Sequence, residues 1–124
     1  MSLASDVRDV DYRNTNSFEN AQRFGVEMLS SSVTRANVDE IITGLVPGAP
    51  LGALIDIGNT ILFRANPHFR YFEATQHGYG LLIFTKENVT GEFWYTPVNE
   101  PTGSQTMAKR LVCLKGSNQW VDAE

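Results

Sequence analysis

The sequence predicts an α+β fold: an antiparallel β-meander with about two helices packed on one face. Three observations lead there. The hydrophobic period changes from helical to two at Asn66-Pro67. The strand-like segments beyond that point are joined by short connections, whereas a parallel return needs a crossover of a dozen or more residues. Ahead of it lies an apolar helical stripe that needs a sheet or another helix to cover it.

The elements follow in order. Residues 23–30 alternate, with Phe24, Val26 and Met28 on one face and Gly25, Glu27 and Leu29 on the other, which reads as a strand. Asn37 followed three residues later by Glu40 has the form of a capping box, and Asp39 adds favourable first-turn charge. A short helix is expected over 38–43, stopped at Gly44. Val46-Pro47-Gly48-Ala49-Pro50 is loop punctuation. Leu51, Leu54, Ile55, Gly58, Ile61, Leu62 and Ala65 then recur at spacings of three and four, giving a second helix that Asn66-Pro67 should end.

Residues 69–74 alternate as a strand, and Gln76-His77-Gly78 offers a hairpin turn that would leave His77 exposed. Residues 79–85 are almost continuously apolar, which suits a central strand covered on both faces. Residues 89–96 and 106–115 alternate again, and Gly116-Ser117-Asn118 turns the chain toward Trp120. Residues 23–30 and the meander 69–115 are expected to share one sheet, with the helix 50–65 lying on it.

At 124 residues with 42% hydrophobic content, the chain can bury a core and form one domain. Met1-Ser2-Leu3 reads as a cloning leader, residues 4–22 as a polar N-terminal arm, and 23–124 as a single α+β domain or part of one. Ten basic against fourteen acidic residues give a formal net charge of −4, which argues against a general nucleic-acid binder. No apolar run approaches the ~20 residues of a membrane span, and no signal-peptide core follows the N-terminus. The single Cys113 excludes an intramolecular disulfide and a multi-cysteine zinc site, and reads as a small buried hydrophobe. With only His68 and His77 besides, a self-sufficient metal or redox centre is a poor fit.

Several stretches together carry a likeness. They are Val26-Glu27-Met28-Leu29-Ser30-Ser31-Ser32-Val33-Thr34, Asn66-Pro67-His68-Phe69-Arg70-Tyr71-Phe72, His77-Gly78-Tyr79-Gly80-Leu81-Leu82-Ile83-Phe84-Thr85 and Val89-Thr90-Gly91-Glu92-Phe93. In this order and spacing they resemble the C-terminal part of the alkaline phosphatase D family of metallophosphatases, over roughly residues 23 to 96. Ser30-Ser31 stands where that family usually has Thr-Pro. Its metal-binding elements, of the Asp-x-His, Gly-Asp-x-x-Asp, Gly-Asn-His and Gly-Asp-x-His types, do not occur here.

The resemblance implies part of a metallophosphatase αββα sandwich, from a parent that hydrolyses phosphoesters with divalent or ferric metals. The parent would be periplasmic or secreted. This chain would hold no metal of its own and lack activity in isolation. Its implied partner is the missing N-terminal catalytic domain. In isolation, uncovered apolar surface and an open edge at residues 23–30 should make it a homo-oligomer. The rival is a free-standing, non-enzymatic α+β module that binds a ligand or dimerises.

Four residues are substrate-cleft candidates: Asn66, His68, Ser31 and Thr34. Asn66 and His68 sit at a helix-to-strand junction, where they either face a cleft or fix the junction by bonding backbone groups. Ser31 and Thr34 belong to a hydroxyl-rich run after a strand, suited to holding phosphate or to ordinary turn and cap bonding. Glu27 is the candidate buried charge. It would pair with Arg64, Arg70 or a group of the missing domain, or else face solvent on an edge strand.

Overall fold

The computed structural model describes residues 1–10, 20–32, 36–99 and 103–123. Two strands, two helices and five further strands follow one another along them. They are β1 (Ser2–Arg8), β2 (Arg23–Leu29), α1 (Val38–Leu45), α2 (Leu51–Ala65), β3 (Phe69–Glu73), β4 (Gly78–Phe84), β5 (Asn88–Tyr95), β6 (Thr106–Leu114) and β7 (Val121–Asp122). The fold is α+β, and every strand pairing is antiparallel.

The strands form two sheets rather than the single one expected. One has the order β2-β1-β3 and the other the order β4-β5-β6-β7. The short link between β3 and β4 does not close a hairpin. It carries the chain from one sheet to the other, with Ala74 and His77 buried at the crossing. There the Val38 N–H donates to Ala74 O at 3.2 Å and the Thr96 N–H to His77 O at 3.0 Å. The connection is short, but its backbone groups are satisfied by other elements, so β3 and β4 need not pair.

The assignment of 1–3 to a leader and 4–22 to a polar arm differs most from the structure. Residues 2–8 form the central strand of the first sheet, and Ser2, Leu3, Ala4, Ser5 and Asp6 are all buried. This strand looks solvent-loving because its inner face carries Ser2, Ala4 and Asp6, and a charged group can be buried when it is paired and hydrogen-bonded. Residues 11–19 lie outside those described.

The two sheets face each other across one core. Ala4, Phe93, Tyr95, Leu111, Cys113 and Trp120 are buried there, with Val26, Met28, Tyr71 and Val89 packed against them. Alternation selects the inward sets: Ala4 lies between Met28 and Tyr71 in one sheet, and Val89, Gly91 and Phe93 face inward from β5 in the other. Tyr71 stacks on Phe93 with ring centroids 4.8 Å apart. The Tyr71 and Tyr95 hydroxyls share a hydrogen bond of 3.1 Å, and burial pushes both phenols above their usual range. Gly91 allows the close approach, because a Cβ there would lie 3.0 Å from Met28 Sδ. Cys113 lies in this core, as a small buried residue should.

The helices depart from expectation too. Asn37 and Glu40 do begin α1, the Asn37 N–H donating to Glu40 Oε2 at 2.8 Å, and α2 ends at Asn66-Pro67 as the proline requires. But neither helix buries a residue. The stripe of α2 is not buried by either sheet: Leu54 and Ile61 are exposed. Phe63, near its end, meets Phe69 edge-on at 6.5 Å. β4, expected to be central, is an edge strand with Tyr79, Leu81, Leu82, Ile83 and Phe84 exposed.

Candidate functional site

Asp6 is a buried charge, 1% exposed in the middle of the first sheet. Its neighbours are cationic because β1 lies between two strands that each present an arginine toward it. Arg70 of β3 donates from Nε and Nη2 to Oδ2 at 2.9 and 2.6 Å. Arg23 Nε lies 3.3 Å from the same oxygen, and Arg8 Nη2 lies 3.4 Å from it. The other oxygen, Oδ1, accepts the Trp120 backbone N–H at 2.9 Å. Burial pushes the Asp6 carboxyl up, but the Arg70 and Trp120 bonds, the Arg70 charge and the Arg8 bond together hold it below the ordinary aspartate range.

Beside this cluster opens a cleft of about 340 Å³, walled by Ser5, Asp6, Arg8, Glu27, Asn66 and His68, with Val7, Val10 and Phe69. Three of the residues singled out in the sequence therefore meet at one place. His68 sits on the β1 side of the helix-to-strand junction, its carbonyl accepting the Asp6 N–H at 2.9 Å. Desolvation, helped by the Arg8 charge, lowers its pKa against the opposing pull of Asp6 and Glu27.

Asn66 fixes the junction. Its Nδ2 donates to Leu62 O at 2.9 Å, capping the end of α2, and its carbonyl accepts the Phe69 N–H at 2.9 Å. Glu27 is not buried. It is exposed on β2, accepts the Ser5 hydroxyl at 3.1 Å, and pairs with neither Arg64 nor Arg70. Arg70 is committed to Asp6. Ser31 lies outside the cleft walls; it is buried, and its hydroxyl has no partner among the described residues. Thr34 falls outside the described residues.

His77 is not the exposed turn residue expected. It is buried, with Nδ1 3.0 Å from Ser32 O and Nε2 3.1 Å from Glu40 Oε2. Both ring nitrogens lie within hydrogen-bond distance of an oxygen. The Asn37 N–H, and after it His77, hold the Glu40 carboxyl below its ordinary range. This residue ties α1 to the crossing between sheets, beside a cavity of about 360 Å³ lined in part by Asp39, Tyr95 and Thr106.

Asp6 and Arg8 were missed because they lie in the stretch assigned to the arm. The signal available was the alternation of Leu3 and Val7 against Ala4, too sparse to outweigh the polar residues between them. Among the described residues, no three His, Cys, Asp or Glu side chains converge as a metal-ligand set. No described helix is long and apolar enough to cross a membrane. Comparison with protein-family models, curated proteins and solved structures gives no match in any of the three.

Proposed function

We propose that the chain is the C-terminal segment of an alkaline-phosphatase-D-like, metal-dependent phosphoesterase. It completes the sheet and the cleft behind an active site whose metals are held by the rest of the parent, and it has no catalysis of its own. The observation that carries this reading is the convergence at the first sheet. Asn66 and His68 come from one stretch of the resemblance and Glu27 from another about forty residues earlier, and they line one cleft. The uncovered stripe of α2 supports it, since an amphipathic helix is made to meet a surface. In this reading that surface belongs to the N-terminal catalytic domain, and His68 lines the substrate cleft.

A second reading, a free-standing non-enzymatic module, is favoured by one observation: Ala4 of β1 and Trp120 beside β7 close a single core between the two sheets. The upstream reading frame discriminates between the two. The first expects it to encode the metal-binding elements in register with this chain. The second expects a natural start near Ala4. An assay adds a direct check: the purified chain should hydrolyse neither p-nitrophenyl phosphate nor bis-p-nitrophenyl phosphate above buffer, with or without Mn²⁺, Ca²⁺ or Fe³⁺. Metal-dependent turnover abolished by His68→Ala would contradict the proposal.

A further inference from the structure

We infer that the free edge of β4 is a two-fold interface, at which a second copy of this chain adds its own β4 antiparallel to form one eight-stranded sheet. The inference stands on the strand itself and does not depend on the proposed enzymatic parent.

Four edge strands are described: β2 and β3 in the first sheet, β4 and β7 in the second. Edges are normally protected by charges, bulges, prolines or shortness. β2 carries Arg23 and Glu27, β3 carries Arg70 and Glu73, and β7 is two residues long and ends in Asp122. β4, Gly78-Tyr79-Gly80-Leu81-Leu82-Ile83-Phe84, has no charge and no proline, and its register with β5 is unbroken over all seven residues. Of these edges it alone lacks any such protection. Residues 23–30, the edge expected from the sequence, carry two charges and are the poorer candidate.

The backbone is set for pairing. The Thr96 N–H donates to His77 O and the Thr85 N–H to Asn88 O. With the β4–β5 register, this turns the amides of the odd-numbered residues toward β5 and those of the even-numbered residues away from it; Gly78 is buried, so Gly80, Leu82 and Phe84 are the ones open to a second strand. A two-fold axis at Leu81 then sets Leu82 opposite Gly80 of the second copy, and Gly80 opposite its Leu82, which closes about four backbone hydrogen bonds.

The side chains fit the same axis. On one face Leu82 meets Gly80. On the other, Ile83 meets Tyr79, a favourable β-branched and aromatic pair, and Leu81 meets itself. Self-pairing places no like charges opposite each other. The five large side chains are 39–75% exposed. At on the order of 200 Å² each, they expose about 500 Å² per copy, of which edge pairing covers a part, the scale of a weak contact held mainly by its backbone bonds. A two-fold contact closes on itself, so assembly stops at the dimer.

The test is sedimentation equilibrium of the full chain from about 1 to about 200 µM. The expected result is a monomer–dimer equilibrium with a micromolar dissociation constant. Leu81→Lys, which sets two ammonium groups face to face across the axis, should weaken it at least about 30-fold with an unchanged far-UV circular dichroism spectrum. Phe24→Lys on the β2 edge and Ile61→Lys on the α2 stripe should leave it within about 2-fold. A second measurement holds even if Leu81→Lys fails to fold: Leu81→Cys should form a covalent dimer in oxidised glutathione, and Phe24→Cys should not. A monomer throughout, an assembly that grows past the dimer, equal dimerisation by a folded Leu81→Lys, or equal cross-linking by the two cysteine variants would overturn the inference. A monomer would leave the phosphoesterase reading standing, because that rests on the upstream frame.

Discussion

Arg70 holds Asp6 through two nitrogens on one oxygen, Nε at 2.9 Å and Nη2 at 2.6 Å from Oδ2. The contact joins β3 to the central strand of its sheet across 64 residues of sequence. It also places a buried carboxylate beside the cleft that holds His68. The same carboxylate accepts the Trp120 N–H, so one side chain fastens the beginning of the described fold to its end.

Asp6→Asn should therefore cost about 3–5 kcal/mol, because it leaves the arginines gathered around that position without their counter-charge. Urea unfolding at pH 7 measures it. A loss under about 1 kcal/mol would mean that the cluster is relaxed by water.

The acid limb of stability follows from the same group. The Asp6 carboxyl lies below its ordinary range in the folded chain, and so does that of Glu40. A depressed carboxylate contributes stability above its unfolded pKa, about 3.9 for Asp and 4.3 for Glu. That contribution is lost as pH falls through the folded value. Unfolding free energy should decline with acidification below the unfolded values, and Asp6→Asn should flatten part of that slope.

His77 should act through α1. His77→Gln can keep one of the two contacts, to Ser32 O or to Glu40, but not both in the same geometry. Native-state hydrogen exchange of residues 38–45 should speed up several-fold while β5 and β6 keep their protection. Equal loss of protection everywhere would show that His77 supports the whole core.

Core and helix substitutions should separate sharply. Phe93 is fully buried between the sheets, and Phe93→Ala should cost about 3–5 kcal/mol. Ile61 is 62% exposed, and Ile61→Ala should change stability by less than about 0.5 kcal/mol. A cost near 2 kcal/mol at Ile61 would mean that the stripe is covered in the isolated chain.

Local chemistry was legible in the sequence where it acts over a few residues. The Asn37–Glu40 cap, the stop at Asn66-Pro67, the alternation of β5 and β6 and the buried Cys113 follow from spacing alone. Partnership over distance was not legible. β1 reads as an arm because Ser5 and Asp6 find their main polar partners in residues far along the chain. β4 reads as central because an apolar run looks the same whether its neighbours are present or absent. At the site, Asn66, His68 and Glu27 were singled out by residue type and brought together by the fold. Asp6 and Arg8 became visible only once β1 was placed between β2 and β3.

The central claim is that this fold serves as part of a larger phosphoesterase. Its most direct test is the mass of the polypeptide that carries β4 to β6 in the source cells, captured by an antibody to those strands and mapped by peptide mass spectrometry. The account predicts a polypeptide far heavier than the 13.8 kDa of this chain, with upstream peptides bearing the Asp-x-His and Gly-Asn-His elements. A single species at 13.8 kDa would contradict it.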